Sequence, residues 1–385
     1  MMEGPMYLNY VEPVAGALLM ILFLADVFLT VLYARIGTGL FSVVLAKTLW
    51  RIFRGVSRPF RRGSVLSFCG PVILVALVFF WAIGLTLGAA LIIHPQLGKS
   101  VVSSSGSTPQ DFITAMYAGG SSLSIVGAGN FSPKSGGMRI FYLFNSLVGM
   151  SVISLTLTYL MQVYSALQKR NALGLRLHLL TGETGDAAEF IARLGPQGDF
   201  DSANSTLMEL GGQIATVKEA HHFYPVLFYF RFSEPFYSVS LITLTALDTA
   251  ALLRSALDAN RFGNLQRSAA LTQIDHASRL LLTTLEEEFL GEDAPKPAAP
   301  SADEGARWRS RYLSAEHVLL SAGIQTCQPT HNGLEHYIRL RSQWNAYIEA
   351  LAPAMLYDLS EIDPAYRSSV ATESEASVLG PRLAS

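Results

Sequence analysis

The chain has 385 residues, half of them hydrophobic and only 15% charged, and 28 Lys and Arg stand against 30 Asp and Glu for a net charge of −2. That balance by itself says nothing of a nucleic-acid partner, but no basic run of the density such a partner needs appears outside one loop, and the two distant cysteines, Cys69 and Cys327, exclude a disulfide framework and a cysteine metal site. The averages hide two regimes, long apolar runs up to residue 168 and ordinary soluble patterning over 169–385.

A bilayer span takes about 20 predominantly apolar residues, and Val14–Ala34, Leu66–Ile93 and Ile140–Gln168 qualify. The first run is too long for a signal peptide and lacks a small-residue cleavage site, so it reads as an anchor. The following loop holds Arg35, Lys47, Arg51, Arg54, Arg58, Arg61 and Arg62 with no acidic residue. Positive loops stay cytoplasmic. The N-terminus, with Glu3 and Glu12 and no base, is then outside, and Lys169, Arg170 and Arg176 return the chain to the cytoplasm. The expected location is the plasma membrane, with the C-terminal region cytoplasmic. Asp26 interrupts the first span, where an ionised aspartate costs about 2.5–3.5 kcal/mol. It reads as protein-facing or protonated: a partner for a base in 51–62, a gating element, or a polar group buried between helices. Leu40–Phe60 interleaves Leu45, Trp50, Ile52 and Phe53 with Lys47, Arg51 and Arg54, the profile of a helix lying in the membrane interface.

After the second span comes a short serine-rich turret, Ser103–Ser107. Thr108, Pro109 and Asp111 then supply an N-cap, a proline in the first turn and an early acid, which predicts a helix over Pro109–Ser124. Val126-Gly127-Ala128-Gly129-Asn130 cannot continue that helix, because alternate glycines permit backbone angles other residues avoid. Non-helical backbone at membrane depth is tolerated only when buried in protein or lining a water-filled cavity.

This stretch, with the spans on either side, resembles the pore module of the potassium-channel superfamily over Leu66–Gln168. The family filter reads Thr-Val-Gly-Tyr-Gly-Asp, after a hydroxyl residue and shortly before a proline. Here the matching positions are Ser124, Ile125, Val126, Gly127, Ala128, Gly129 and Asn130, with Pro133 in place. The resemblance implies an outer helix, a re-entrant pore helix, a selectivity filter and an inner helix, with Met116 and Tyr117 where the family packs aromatics. It also implies a homotetramer conducting a monovalent cation, K+ by the family pattern. Three positions depart. Ile125 brings no hydroxyl to the innermost ion site, Ala128 removes an aromatic brace, and Asn130 takes a charge from the outer mouth. Selectivity depends on carbonyl number, field strength and how firmly the filter holds its size, so a non-selective cation channel and a non-conducting sensor or scaffold stay open.

The third span would line the pore, with Gly149 either a gating hinge or a close-packing site. Asn145, Ser146, Ser151, Ser154, Thr156 and Thr158 offer a wet face. No span carries arginine at every third position, which excludes a voltage sensor of the usual kind. Beyond it, Thr206 and Glu209 form a capping-box pattern ahead of Leu207, Leu210, Ile214 and Val217. Leu271, Ile274, Ser278, Leu281 and Leu285 repeat the helical spacing over Asn264–Gly291. Phe236–Asn260 is strongly apolar, but Asp248 and Arg254 make it a buried helix of the soluble part and not a fourth span.

The expected fold is an all-α membrane protein: three transmembrane helices with a re-entrant pore helix and filter loop, then a helical cytoplasmic domain. The segments are 1–65 (first span and interfacial helix), 66–170 (pore domain), 171–291 (helical domain), 292–307 (Pro/Ala/acidic linker), 308–358 (helices near Trp308–Ile324 and Glu335–Leu356) and 359–385 (disordered tail). No dinucleotide fingerprint, Walker motif or metalloprotease order appears, since His331, Glu335 and His336 match neither known spacing. Gly120-Ser121-Ser122 lacks the paired histidine of a serine hydrolase. No catalytic residue, metal or cofactor is therefore expected, and the expected partners are membrane lipid, further copies of the chain and an unidentified cytoplasmic regulator. A membrane-anchored enzyme regulator acting through residues 171–385 is the further alternative.

Overall fold

The computed structural model describes residues 8–33, 39–57, 66–124, 127, 129–291 and 294–367. These are mostly helical, and three helices have the length and apolar composition to cross a membrane: Tyr10–Leu32, Cys69–Gln96 and Gly136–Leu180. The expectation of an all-α membrane protein with three such helices is met at that level. By its internal contacts the chain divides into two units, one of Met1–Val56, Phe68–Tyr164 and Tyr224–Tyr229, the other of Ser57–Ser67, Ser165–Phe223 and Phe230–Ser385.

In the first unit, α1 (Leu8–Val27) passes into a π-helical turn at Phe28–Leu32, and α2 spans Ser42–Ser57. Then come α3 (Cys69–Ile93), β1 (Val101–Ser103), α4 (Phe112–Leu123), β2 (Phe131–Pro133) and α5 (Gly136–Leu180), the last shared with the second unit. Helices α1 and α3 pack through small residues. A methyl group at Gly16 would lie 2.5 Å from the Gly88 carbonyl oxygen, and one at Gly84 would lie 2.2 Å from the Phe23 ring. Lipid offers no hydrophobic force between helices, so association there depends on such close approach. Met20, Phe23, Val27, Trp81, Leu85 and Ala89 form the core of this contact.

Asp26 is fully buried in that core. Its Oδ1 accepts from the amides of Phe41 (2.8 Å) and Ser42 (3.3 Å), and its Oδ2 accepts from the Trp81 indole (2.7 Å) and the Ser42 hydroxyl. The carboxylate therefore caps α2 from another helix. No base pairs with it among the described residues, so of the three readings the buried polar group is the one that the geometry matches. The expected interfacial helix is α2, with Trp50 buried against Tyr229 and Val44, Ile52 and Val56 exposed.

The second unit contains α6 (Ala187–Leu194), α7 (Ala203–Phe223), α8 (Val239–Ser255), α9 (Ala259–Gln266), α10 (Ala269–Phe289), α11 (Ala302–Ser321), α12 (Thr330–Arg341), α13 (Asn345–Ala354) and α14 (Leu359–Ile362). Helix α8 is buried on every side save Arg254, with α6, α10 and α12 packed on it. Its Thr243, Thr249 and Ser255 hydroxyls donate to carbonyls one turn back, so they enter the core satisfied. Asp248, in the middle of α8, is a hub. Its Oδ2 accepts from Arg311 Nη2 (2.9 Å), and its Oδ1 accepts from the Tyr337 hydroxyl (2.6 Å) and lies 3.5 Å from Arg341 Nη1. Arg311 also donates to both Asp186 oxygens (2.8 and 2.7 Å), and Arg341 donates to Asp363. Burial alone would raise the Asp248 carboxyl, but the two guanidiniums outweigh it and hold the group below its usual range.

Several local expectations shift. The Thr206–Glu209 capping box does not form: α7 starts earlier, at Ala203, the Thr206 hydroxyl donates to Ser202 O, and Glu209 is drawn to Arg176. The linker ends at Ser301, which with Glu304 makes a true capping box for α11, so 302–307 is helix. The single helix expected near Glu335–Leu356 is two, α12 and α13, parted at Ser342–Trp344. Residues 359–367 are not a disordered tail, because Ile362, Asp363 and Ala365 are buried and Asp363 anchors Arg341. The rest of that tail lies outside the described residues.

Candidate functional site

The candidate site is the connection between α3 and α5. Strands β1 and β2 pair antiparallel, Val101 opposite Pro133 and Ser103 opposite Phe131, and Ser104 N donates to Asn130 O at 2.8 Å. The pairing ties together the two ends of the 104–130 segment, a closed loop whose main content is α4. The cap of α4 is Asp111 and not Thr108: the Asp111 carboxylate accepts from Thr114 N at 2.9 Å, while Thr108 Oγ1 accepts from Ser103 N. Those hydrogen bonds hold the Asp111 carboxyl below its usual range.

Helix α4 lies against α3 through Ala115, Ala118 and Gly119, where a methyl at Gly119 would meet Ala90 N at 2.9 Å. Its C-terminal end meets α5. A methyl at Gly149 would lie 1.9 Å from the Leu123 carbonyl oxygen, so α5 touches the last turn of α4 with no room for any side chain. One turn above, Asn145, fully buried, donates to Ser122 Oγ at 2.7 Å. At the loop's other side, Asn130 Nδ2 donates to the Tyr117 hydroxyl at 3.3 Å, and Tyr117 sits edge-on to Phe131. Glu12 and His94 close the same end of α1 and α3 at 2.7 Å.

Of the seven expected filter positions, Ser124, Gly127, Gly129 and Asn130 are described, and Ile125, Val126 and Ala128 lie outside the described residues. The helix stops at Ser124, whose backbone is extended (φ −72°, ψ 140°), and Gly127 takes the left-handed φ of 62° that favours glycine. Among the described residues, nothing of the chain approaches within 4 Å of where a side chain would begin at Gly127 or Gly129. Gly149 lies within unbroken helix. The expected wet face of α5 divides: Ser146, Ser151, Ser154 and Thr158 are exposed, while Asn145 and Thr156 are buried. Beside the hydroxyls, Leu147, Met150, Leu157 and Met161 are more than half exposed on the single chain.

Sequence reasoning missed Asn145–Ser122, Glu12–His94 and the Asp248 hub. An isolated Asn, Glu or Asp in an apolar helix signalled that a partner exists, and only packing says which. His331 Nε2 and Glu335 Oε1 lie 2.9 Å apart on an exposed surface. Among the described residues no group of His, Cys, Asp or Glu is arranged to hold a metal.

Comparison with known proteins gives one relationship. The chain is similar to the uncharacterized membrane protein YdjJ of Bacillus subtilis (strain 168), 24% identical over 237 residues that cover 62% of this chain and 67% of that protein. No family model matches, and no solved structure matches.

Proposed function

We propose that this chain is one subunit of a homotetrameric cation channel of the potassium-channel type, lodged in the cell membrane with its N-terminus outside. The observation that carries the reading is the α4 unit: a twelve-residue helix between two span-length helices, ended at Leu123 against Gly149 and followed by Ser124 in extended backbone and Gly127 at a left-handed φ. Four such loops make a ring of carbonyls, and one loop per chain calls for four chains. The open space about Gly127 and Gly129 and the exposed apolar and hydroxyl surface of α5 are what a subunit keeps for its neighbours and for a water-filled cavity. Ions would meet Asn130 first, pass the carbonyls of Ile125, Val126, Gly127 and Ala128, and enter a cavity faced by Ser151, Ser154 and Thr158. With no tyrosine at 128, the Asn130–Tyr117 and Asn145–Ser122 hydrogen bonds are what brace the loop.

The test is flux through purified protein in liposomes, comparing potassium, sodium and N-methylglucamine. Potassium flux alone means that the filter carbonyls select without the aromatic brace. Equal potassium and sodium flux means a loosened cation pore. Flux of none, from protein shown to be tetrameric, both untruncated and with the region after Asn171 deleted, overturns the channel reading in favour of a pore-shaped scaffold.

A further inference from the structure

The C-terminal part of α5 and helix α7 enclose an open cleft of about 320 Å³ lined by Lys169, Ala172, Leu173, Arg176, Gln213 and Thr216. That volume stands at the lower end of small-ligand sites, about 300–1,000 Å³. Lys169 and Arg176 are seven residues apart, so they share one face of α5 with Cα atoms about 10 Å apart. Ala172 lies between them and leaves the middle of that face empty. Leu173 is buried and forms an apolar floor.

The polar atoms of the cleft are unevenly used. Arg176 is held by the Glu209 carboxylate through two hydrogen bonds, Nη2 to Oε2 at 2.7 Å and Nη1 to Oε1, and Gln213 Nε2 donates to the same carboxylate at 3.1 Å. The Thr216 hydroxyl donates to Gly212 O at 2.9 Å. Two guanidinium N–H groups are thus spent and three remain. Lys169 makes no hydrogen bond or ion pair among the described residues, so its three donors are free for an incoming group. The cleft holds two cations against one carboxylate, and the carboxylate is an exposed one.

We infer that this cleft binds a phosphate group, with Lys169 and Arg176 as its two cationic clamps and Glu209 as a resident counter-ion that the ligand competes with. Phosphate is the anion that suits a guanidinium and an ammonium converging from either side, since it offers several acceptor oxygens to both. In the sequence Lys169 comes one residue after the apolar run Ile140–Gln168 ends, which on the proposed membrane reading would bring it near the lipid phosphates. The group therefore comes either from an anionic lipid headgroup, whose glycerol would rest on Ala172 and Leu173, or from a free phosphate compound. The assignment stands apart from conduction and does not require it.

The experiment uses the full-length protein in detergent micelles. Native mass spectrometry counts phosphatidylglycerol and phosphatidylcholine retained per chain, and thermal stability is followed against sodium pyrophosphate and against chloride at equal ionic strength. Phosphatidylglycerol retained over phosphatidylcholine assigns the lipid source, and selective stabilisation by pyrophosphate assigns the free one. In either case Lys169→Gln weakens binding at least about tenfold and Glu209→Gln strengthens it. Lys218→Gln, at a surface pair with Glu219, leaves binding unchanged. Equal binding by wild type, Lys169→Gln and Glu209→Gln overturns the assignment, as does a loss with Lys218→Gln as large as with Lys169→Gln. Circular dichroism and the thermal transition of each variant without ligand show whether a loss comes from misfolding.

Discussion

Replacing Gly149 by alanine separates packing from hinge. The added methyl carbon would sit 1.9 Å from the Leu123 carbonyl oxygen, whereas an aliphatic carbon approaches a carbonyl oxygen no closer than about 3.3 Å. Either α5 or the end of α4 must then retreat by more than about 1 Å, and the neighbours of that contact, Ser122 and Asn145, share a buried hydrogen bond that resists it. Overpacking of this kind costs about 1–3 kcal/mol, set against a gain of about 1 kcal/mol for removing a glycine from a helix. Gly137 is the internal control, being in the same helix with open space about it. The assay is the thermal transition of purified full-length protein, followed by tryptophan fluorescence, with liposome flux measured in parallel. Gly149→Ala is expected to lower the transition and Gly137→Ala to leave it level or raise it. If Gly149→Ala melts with the wild type while altering only flux, the close contact is wrong and the glycine serves bending.

Two more predictions concern buried polar groups. Asp26→Ala strands the Trp81 indole N–H and the Phe41 amide without an acceptor, and at about 1–3 kcal/mol for each unsatisfied group the variant should melt well below wild type. Asp26→Asn, which keeps one oxygen for the two amides, should fall between them, and an Ala variant as stable as wild type would remove the capping role. The imidazole of His221 is buried with Nδ1 2.8 Å from Val217 O, and burial first, then the positive charge of Arg170, pushes its pKa down to about 3. Unfolded, it takes a proton near pH 6.5. Below that pH the unfolded chain binds a proton that the folded chain refuses, so stability falls as pH drops from about 6.5 toward 3, by about 2 kcal/mol at pH 5. His221→Gln should flatten the fall of the transition temperature between pH 7 and pH 5, and an unchanged slope would refute the assignment.

The spans were legible because their requirement is local: a run of apolar residues long enough to cross, visible without any partner. The same locality made Val239–Leu253 readable as a buried helix, since Asp248 and Arg254 cut the run short. Pairings over long separations were not legible. Asp248 meets Arg311 and Arg341, and Arg311 meets Asp186, across intervals that only the packing of α6, α8, α11 and α12 decides. Thr206 and Glu209 show how a correct local pattern can lose, because a bidentate arginine 33 residues earlier in the chain competes for the glutamate. Asp26 announced that it needed partners, but nothing local indicated an indole and two amides in place of a base. Between α3 and α5 the short helix and the two apolar helices that flank it were readable, while the hydrogen bonds Asn145–Ser122 and Asn130–Tyr117 depend on which helix faces meet.

Helix α8 also bears on how the chain is made. As it leaves the ribosome behind three apolar helices, its sequence, VSLITLTALDTAALLRS, presents the insertion machinery with a choice. Its hydroxyls fold back on their own helix and discourage insertion little. Asp248 near the centre costs about 2.5–3.5 kcal/mol on the insertion scale, and Arg311, Tyr337 and Arg341, which later neutralise it, have not yet been synthesised. The same carboxylate thus acts twice: unpaired, it raises the cost of inserting the segment, and once its partners arrive it holds their helices around it.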